Sequence, residues 1–148
     1  MPQQPPGAVV LAVSRMASQV RGAVERQVLE PAGLSLTAFA VLAVVADADA
    51  AVRLHAVAAA AGMAHGTARS AVARLEHLGL LSRSTPGRDR RQVELSVSRS
   101  GRALAERLRA AAAAVEAQLV PDPRVRHLLV VAAGRFRLQP LRRPGAAA

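Results

Sequence analysis

The 148 residues contain no cysteine, no lysine, no tryptophan and no tyrosine. Without cysteine there are no disulfides, no thiol redox sensor and no cysteine-ligated metal. Two phenylalanines are the only aromatics. That argues against a large β-sandwich, whose cores draw on aromatic and branched residues. Acids are also scarce, ten against twenty arginines. They form no paired-carboxylate pattern, and neither a Ser–His–acid set nor a phosphate-cradling glycine loop accompanies them. An enzyme is therefore not expected. The four histidines, His55, His65, His77 and His127, never fall three or four residues apart, so no metal and no cofactor is expected either. A long hydrophobic run is missing too. The longest, residues 34–46, stops at Asp47, well short of the roughly 20 residues that span a bilayer. The start, MPQQPPGAVVLAV, places no basic residue before its short apolar run, unlike a signal peptide. The expectation is a soluble cytoplasmic protein that does not engage a membrane.

What is present is alanine and arginine. Apolar residues make up 51% of the chain, and their alanine bias favours helices packed at close range. The net charge is +10. A GC-rich genome accounts for arginine in place of lysine; selection for bidentate phosphate contact is the other reading. Neither codon usage nor composition explains a two-to-one excess of positive over negative charge. That excess points to a polyanion, nucleic acid first and an anionic membrane surface second.

The length suits one domain with its own core. From about Gly7 to Glu30, Val9, Val13, Met16, Val20, Val24 and Val28 recur at steps of three and four, one helical stripe. Pro31 and Gly33 end it. Ser35 is placed to cap a second helix that Asp47 closes. Residues 52–54 read as a brief strand and 55–61 as a short helix stopped by Gly62. After a turn at 63–66, a longer helix runs to His77 with Ala68, Val72, Leu75 and Leu78 on one face. Gly79 follows where a left-handed residue is wanted. Residues 80–84 and 93–97 read as two strands of a hairpin with tip TPGRDRR, and Val93, Leu95 and Val97 alternate with Glu94 and Ser96. Ser98 caps a long helix carrying Leu104, Leu108, Ala112, Val115 and Leu119. Asp122 and Pro123 then start a last helix with Val125, Leu128, Leu129, Ala132 and Phe136 in line.

A short helix, a turn, a longer helix and a two-stranded hairpin make a winged helix-turn-helix, so the fold class is mainly α with a small β-wing. In such a unit the second helix enters the major groove. At about 100° per residue, Gly66, Ser70, Ala73 and His77 oppose the apolar face, and Arg69 and Arg74 flank them on opposite sides. Small groups then face the bases while guanidiniums reach phosphate or a guanine edge. An amphipathic helix with ordinary solvated arginines is the alternative for that helix alone. The candidate DNA-contacting residues are His65, Thr67, Arg69, Ser70 and Arg74 on the helix and Arg88, Asp89, Arg90 and Arg91 at the tip. A narrow minor groove favours arginine, and Asp89 can pair with Arg91 or cap the turn, holding one guanidinium in position; a solvated charged turn is the alternative for the tip alone.

From Leu34 to about Leu108 the sequence resembles the MarR family of bacterial transcription regulators. The resemblance rests on LSLTAFAVLAVVA, LHAVAAAAGMAHGTARSAVARLEHLGLLSR and GRDRRQVELSVSRSG. The last is similar to the family's wing pattern of Asp, any residue, Arg, an apolar strand, Leu-Thr, and glycine three positions after the threonine. Here those positions are Asp89, Arg91, Val97, Ser98 and Gly101. Ser98 replaces threonine and Val97 replaces leucine. Arg69-Ser70 stands where the family often has threonine then arginine. The resemblance implies a homodimer whose first and last two helices intertwine, and two winged units on a palindromic operator. It also implies a regulator that is usually a repressor. The layout expected is one domain: winged unit at about 34–98, dimerisation helices at about 7–30 and 99–137, disordered tails at 1–6 and 138–148. Dimerisation is assigned to Val9, Val13, Met16, Val20, Val115, Leu119, Leu128 and Phe136, apolar residues on stripes that a small winged unit could not fully cover.

The partners expected are double-stranded DNA and a second copy of the chain. Two readings of another class stay open, a nonspecific architectural DNA-binding protein and a protein-interaction module on a degenerate winged fold. Relatives of the resembled family often release DNA on binding a small aromatic acid or on cysteine oxidation, and the second route is closed here. For the first, Phe39 and Phe136 supply little aromatic wall. Any small-molecule effector is expected to prefer a branched-aliphatic pocket with residues such as Leu34, Phe39 and Leu42, and simple phenolic acids should act weakly or not at all.

Overall fold

The computed structural model describes residue 5, residues 7–85 and residues 92–135, with side chains through Val131. Helix α1 spans Ala8–Val24 and continues through a π-helical turn, Glu25–Leu29, and a 3-10 turn, Glu30–Ala32. Then come α2 (Leu36–Asp47), β1 (Val52–Arg53), α3 (Leu54–Ala60), α4 (His65–His77), β2 (Leu81–Ser84), β3 (Glu94–Val97), α5 (Arg99–Leu119) and α6 (Pro123–Arg135). The fold is mainly α with a three-stranded antiparallel sheet in the order β1-β3-β2. Leu95 of β3 faces Val52 on one side and Arg83 on the other.

Local chemistry sets the element boundaries. The Ser35 hydroxyl accepts from the Ala38 amide at 3.1 Å and caps α2. The Asp122 carboxylate accepts from the Arg124 amide at 2.8 Å and caps α6, with Pro123 at the first helical position, where a missing N–H is harmless. Gly79 sits at φ 69°, the left-handed conformation that lets the chain leave α4 and turn into β2.

The core forms where α2 crosses the winged unit. Leu29, Val41, Leu42, Val45, Val57, Val72, Leu75 and Leu95 are all fully buried. They come from the end of the first helical segment, α2, α3, α4 and β3, so one cluster holds every element that positions the helix-turn-helix. Alpha5 adds Ala105, Leu108, Ala112 and Val115. Arg102 donates to the Ala46 carbonyl at 2.7 Å and Arg109 to that of Ala43 at 2.8 Å. Arg109 also meets the Asp47 carboxylate at 2.7 Å. Cations at the carbonyl end of α2 complement its dipole and lock α2 to α5.

Ser98 and Gly101 join α5 to the winged unit. The Ser98 amide donates to the Leu80 carbonyl at 3.0 Å. Its hydroxyl lies 2.7 Å from the Gly79 carbonyl and 3.1 Å from that of Leu80, its single proton serving one at a time. The same oxygen accepts from the Gly101 amide at 3.0 Å, the N-cap of α5. Gly101 is buried, and a Cβ there would overlap the Leu80 carbonyl and crowd Val97.

Two expectations are corrected. The single stripe expected from Val9 to Val28 is buried only at its downstream end: Val24 and Val28 are buried and Val20 is half-buried, whereas Val9 and Val13 are 67% and 54% exposed, because only the last turn of α1 meets the core. Leu78, expected on the buried face of α4, is exposed, because the helix ends at His77 and the chain is already turning toward Gly79. The expected tails, 1–6 and 138–148, lie outside the described residues apart from Pro5.

Gly101→Ala should destabilise the fold by roughly 3 kcal/mol, the scale of forced overpacking. Gly66→Ala, a helical position with open space around its Cα, should gain about 0.5–1 kcal/mol. Urea unfolding of both variants checks this, and equal midpoints would contradict the close approach.

Candidate nucleic-acid interface

Helix α3 buries Leu54, Val57 and Ala58, and α4 buries Ala68, Ala71, Val72 and Leu75. Their shared apolar faces hold the two helices as a helix-turn-helix, and the turn is secured by the Met63 amide donating to the Ala58 carbonyl at 3.0 Å. The outer face of α4 then has no choice but to face away from the core. His65, Gly66, Thr67, Arg69, Ser70, Ala73, Arg74 and His77 are all exposed. Ser70 turns its hydroxyl back to the Gly66 carbonyl at 3.2 Å. The only acid of α4, Glu76, is engaged by Arg83 of β2 at 2.7 Å, so the face carries positive and neutral groups.

The two flanking arginines of α4 open onto different recesses. Arg69 and His65 line one of about 510 Å3 together with Arg53, His55, Arg83 and Gln92. Arg74, Thr67 and Ser70 line another of about 540 Å3, closed on its far side by Gly33, Ser35 and Thr37 at the head of α2. All five expected helix residues are thus on the outer surface and divided between these recesses. The expected tip residues, Arg88, Asp89, Arg90 and Arg91, lie outside the described residues.

Sequence reasoning missed Arg53, His55, Arg83 and Gln92. No local pattern signals them, because they reach the recess from β1, α3, β2 and the residues leading into β3. Only the sheet order, with β1 pairing to the far strand of the hairpin, brings Arg53 within 3.3 Å of Gln92, 39 residues away. Although His55 and His65 share the recess, no group of three metal-ligating side chains occurs among the described residues.

A second surface is apolar. Val9, Val10, Leu11 and Val13 of α1, Leu119 of α5, and Val125, Leu128, Leu129 and Val130 of α6 are all at least 36% exposed. Between these helices lies a recess of about 300 Å3 lined by Met16, Val20, Val120, Leu129 and Val130 with Glu116 and Arg126 at its edges. Of the residues expected to dimerise, Val9, Val13, Leu119 and Leu128 are exposed and Met16 and Val20 half-buried. Val115 turns into the chain's own core, and Phe136 lies outside the described residues. Of the expected effector pocket, Leu34 and Leu42 are core residues and Phe39 packs against them, and none of the three lines any of these recesses. Short alanine side chains let the helices close over that space. Among the described residues no single helix is long and apolar enough to cross a membrane; only the first helical segment and α2 together reach that length, bent by 76°.

Residues 32–92 match the family model of the MarR family. A MarR-family transcriptional regulator from Rhodococcus sp. RHA1 superposes with a TM-score of 0.77 at 25% identity, covering 89% of this chain and 94% of that one. CouR from Rhodococcus jostii RHA1, solved bound to p-coumaroyl-CoA, gives 0.74 at 25% identity, with 89% and 96% covered. A MarR-family protein of Mycobacterium tuberculosis solved with salicylic acid shares the fold, with a TM-score of 0.65 at 22% identity, covering 90% of this chain and 97% of that one. No curated protein matches the chain at a significant level.

Proposed function

We propose that the chain, whose residues 32–92 match the MarR family model and whose fold matches MarR-family structures over most of its length, is a transcriptional regulator of that family, a sequence-specific repressor binding a palindromic operator as a homodimer. Members of this family regulate transcription by binding DNA and are not enzymes. The observation that carries the reading is the outer face of α4, free of unpaired acid and flanked on both sides by a guanidinium. Laid in the major groove, that face offers Gly66, Ser70 and Ala73 to base edges, while Arg69 and Arg74 reach outward to the two sides. The wing arginines, Arg88, Arg90 and Arg91, enter the adjacent minor groove, where negative potential favours guanidinium groups.

The exposed apolar faces of α1 and α6 support the dimer, since a lone chain rarely leaves so many large apolar side chains uncovered. A two-fold axis through that surface would place two α4 helices about one duplex turn apart, roughly 34–36 Å. Relatives have been solved with p-coumaroyl-CoA and with salicylic acid, and small-molecule release of DNA is proposed here as well. With Phe39 the one aromatic of the described residues, little wall is available for stacking a phenolic ring, and the effector favoured is aliphatic rather than phenolic.

Selection of bound duplexes from random DNA tests the reading. A discrete inverted repeat is expected, with binding that weakens at a log–log salt slope of roughly −5 to −9 if six to ten phosphates are neutralised. Uniform recovery of sequences would instead make the protein architectural.

Val13→Asp should convert a dimer into monomers at micromolar concentration without unfolding the chain, because Val13 is 54% exposed. Sedimentation velocity reads this directly, and a wild-type protein of monomer mass would remove the dimer.

Calorimetric titration with salicylate should give weak heat or none. A dissociation constant in the low micromolar range, together with release of the operator, would reverse the effector assignment.

A further inference from the structure

Three arginines and two histidines from four elements converge on the recess beside the head of α4. Arg53 ends β1, His55 is in α3, His65 and Arg69 are in α4, and Arg83 is in β2. At about 510 Å3 the recess has the size of a ligand site, but its lining is the reverse of an apolar pocket. Leu54 and Val93 are its apolar members, and no carboxylate lines it among the described residues. The polar neighbours orient the cations. Gln92 Oε1 accepts from Arg53 Nη2 at 3.3 Å, and Glu76 holds one Nη of Arg83 at 2.7 Å. Among the described residues, the ion pairs are Arg83–Glu76 and Arg109–Asp47, which leaves Arg53 and Arg69 with no carboxylate there. Cations held together from separate elements repel one another, and an anion relieves that repulsion. Guanidinium forks match tetrahedral oxyanions bidentately, and several forks around one recess suit a group with several charged oxygens better than a single carboxylate.

We propose that this recess, formed by Arg53, His55, His65, Arg69 and Arg83, is a binding site for a phosphoryl group. Two sources share that chemistry. One is a backbone phosphate of the bound duplex beside the major-groove helix, which rests on the function proposed above. The other is a free phosphorylated small molecule, which would then compete with DNA for the same guanidiniums.

Arg53→Gln separates the possibilities, with Arg107→Gln on the exposed side of α5 as a control of equal charge change. Pyrophosphate is the small-molecule probe. Duplex affinity is measured against salt for the full-length proteins, and pyrophosphate is titrated by calorimetry and added to the duplex complex at constant ionic strength. Arg53→Gln should weaken operator and scrambled duplex alike by about tenfold and make the log–log salt slope shallower by about one per recess. Arg107→Gln should do neither. Pyrophosphate should bind the wild type, displace DNA from it, and bind Arg53→Gln at least tenfold more weakly.

A slope change without pyrophosphate binding assigns the recess to the DNA backbone alone. Pyrophosphate binding that depends on Arg53, without a slope change, assigns it to a free ligand. Both outcomes keep the phosphoryl site. The proposal is overturned if neither effect appears, or if Arg107→Gln reproduces the loss seen with Arg53→Gln. If the wild type binds no duplex at all, the regulatory function fails, and the calorimetric arm still decides the recess.

Discussion

The approach of α5 to the backbone of Leu80 is the constraint on which the rest of the arrangement depends. It is permitted by the hydrogen at Gly101 where any other residue carries a Cβ, and it is held by Ser98, which bonds both the turn behind α4 and the first turn of α5. One residue pair thereby fixes the end of α4, the start of β2 and the direction of the longest helix. Arg102 and Arg109 repeat the attachment further along, on the last carbonyls of α2. With both contacts in place, the recognition surface and the surface formed by α1, α5 and α6 are parts of one rigid framework.

Charge is distributed with the same economy. Arg102 and Arg109 of α5 bind carbonyl oxygens of α2, whereas arginines on α4, β1 and β2 surround the outer face of the helix-turn-helix. The guanidinium suits both tasks because its flat fork donates in fixed directions, which an ammonium does not. The folded arrangement decides which of the arginines become structural.

Much of this was legible because it is local. The caps at Ser35, Ser98 and Asp122, the left-handed turn at Gly79 and the split of α4 into two faces follow from a few neighbouring residues. The order of short helix, turn, longer helix and hairpin indicates the winged unit independently of the resemblance to the MarR family, and the close packing at Gly101 gives the physical reason for a glycine at that place in the wing pattern. What escaped is non-local. Arg53 and Arg83 look like ordinary solvated strand residues until β1 pairs with β3. Val115 falls on the same stripe as Leu119, and only the extent of the chain's own core along α5 decides that one is buried and the other exposed. Leu34 and Leu42 suggested a pocket because apolar residues line both pockets and cores, and composition does not separate the two.

The π turn at Glu25–Leu29 deserves a reading in terms of angular phase. A turn closed by i→i+5 bonds holds one residue more than its α-helical equivalent, so it rotates everything upstream relative to everything downstream. Val28 and Leu29 in the turn, with Val24 just before it, are buried in the chain's own core, while Val9 and Val13 further up α1 are exposed, so the turn sets the rotation at which α1 leaves the core. Deleting one residue from this turn would rotate α1 and its outer stripe by about 100° relative to the segment downstream. The direction of the exposed apolar surface of α1 is thus set by an angle stored in the backbone as well as by the side chains that cover it.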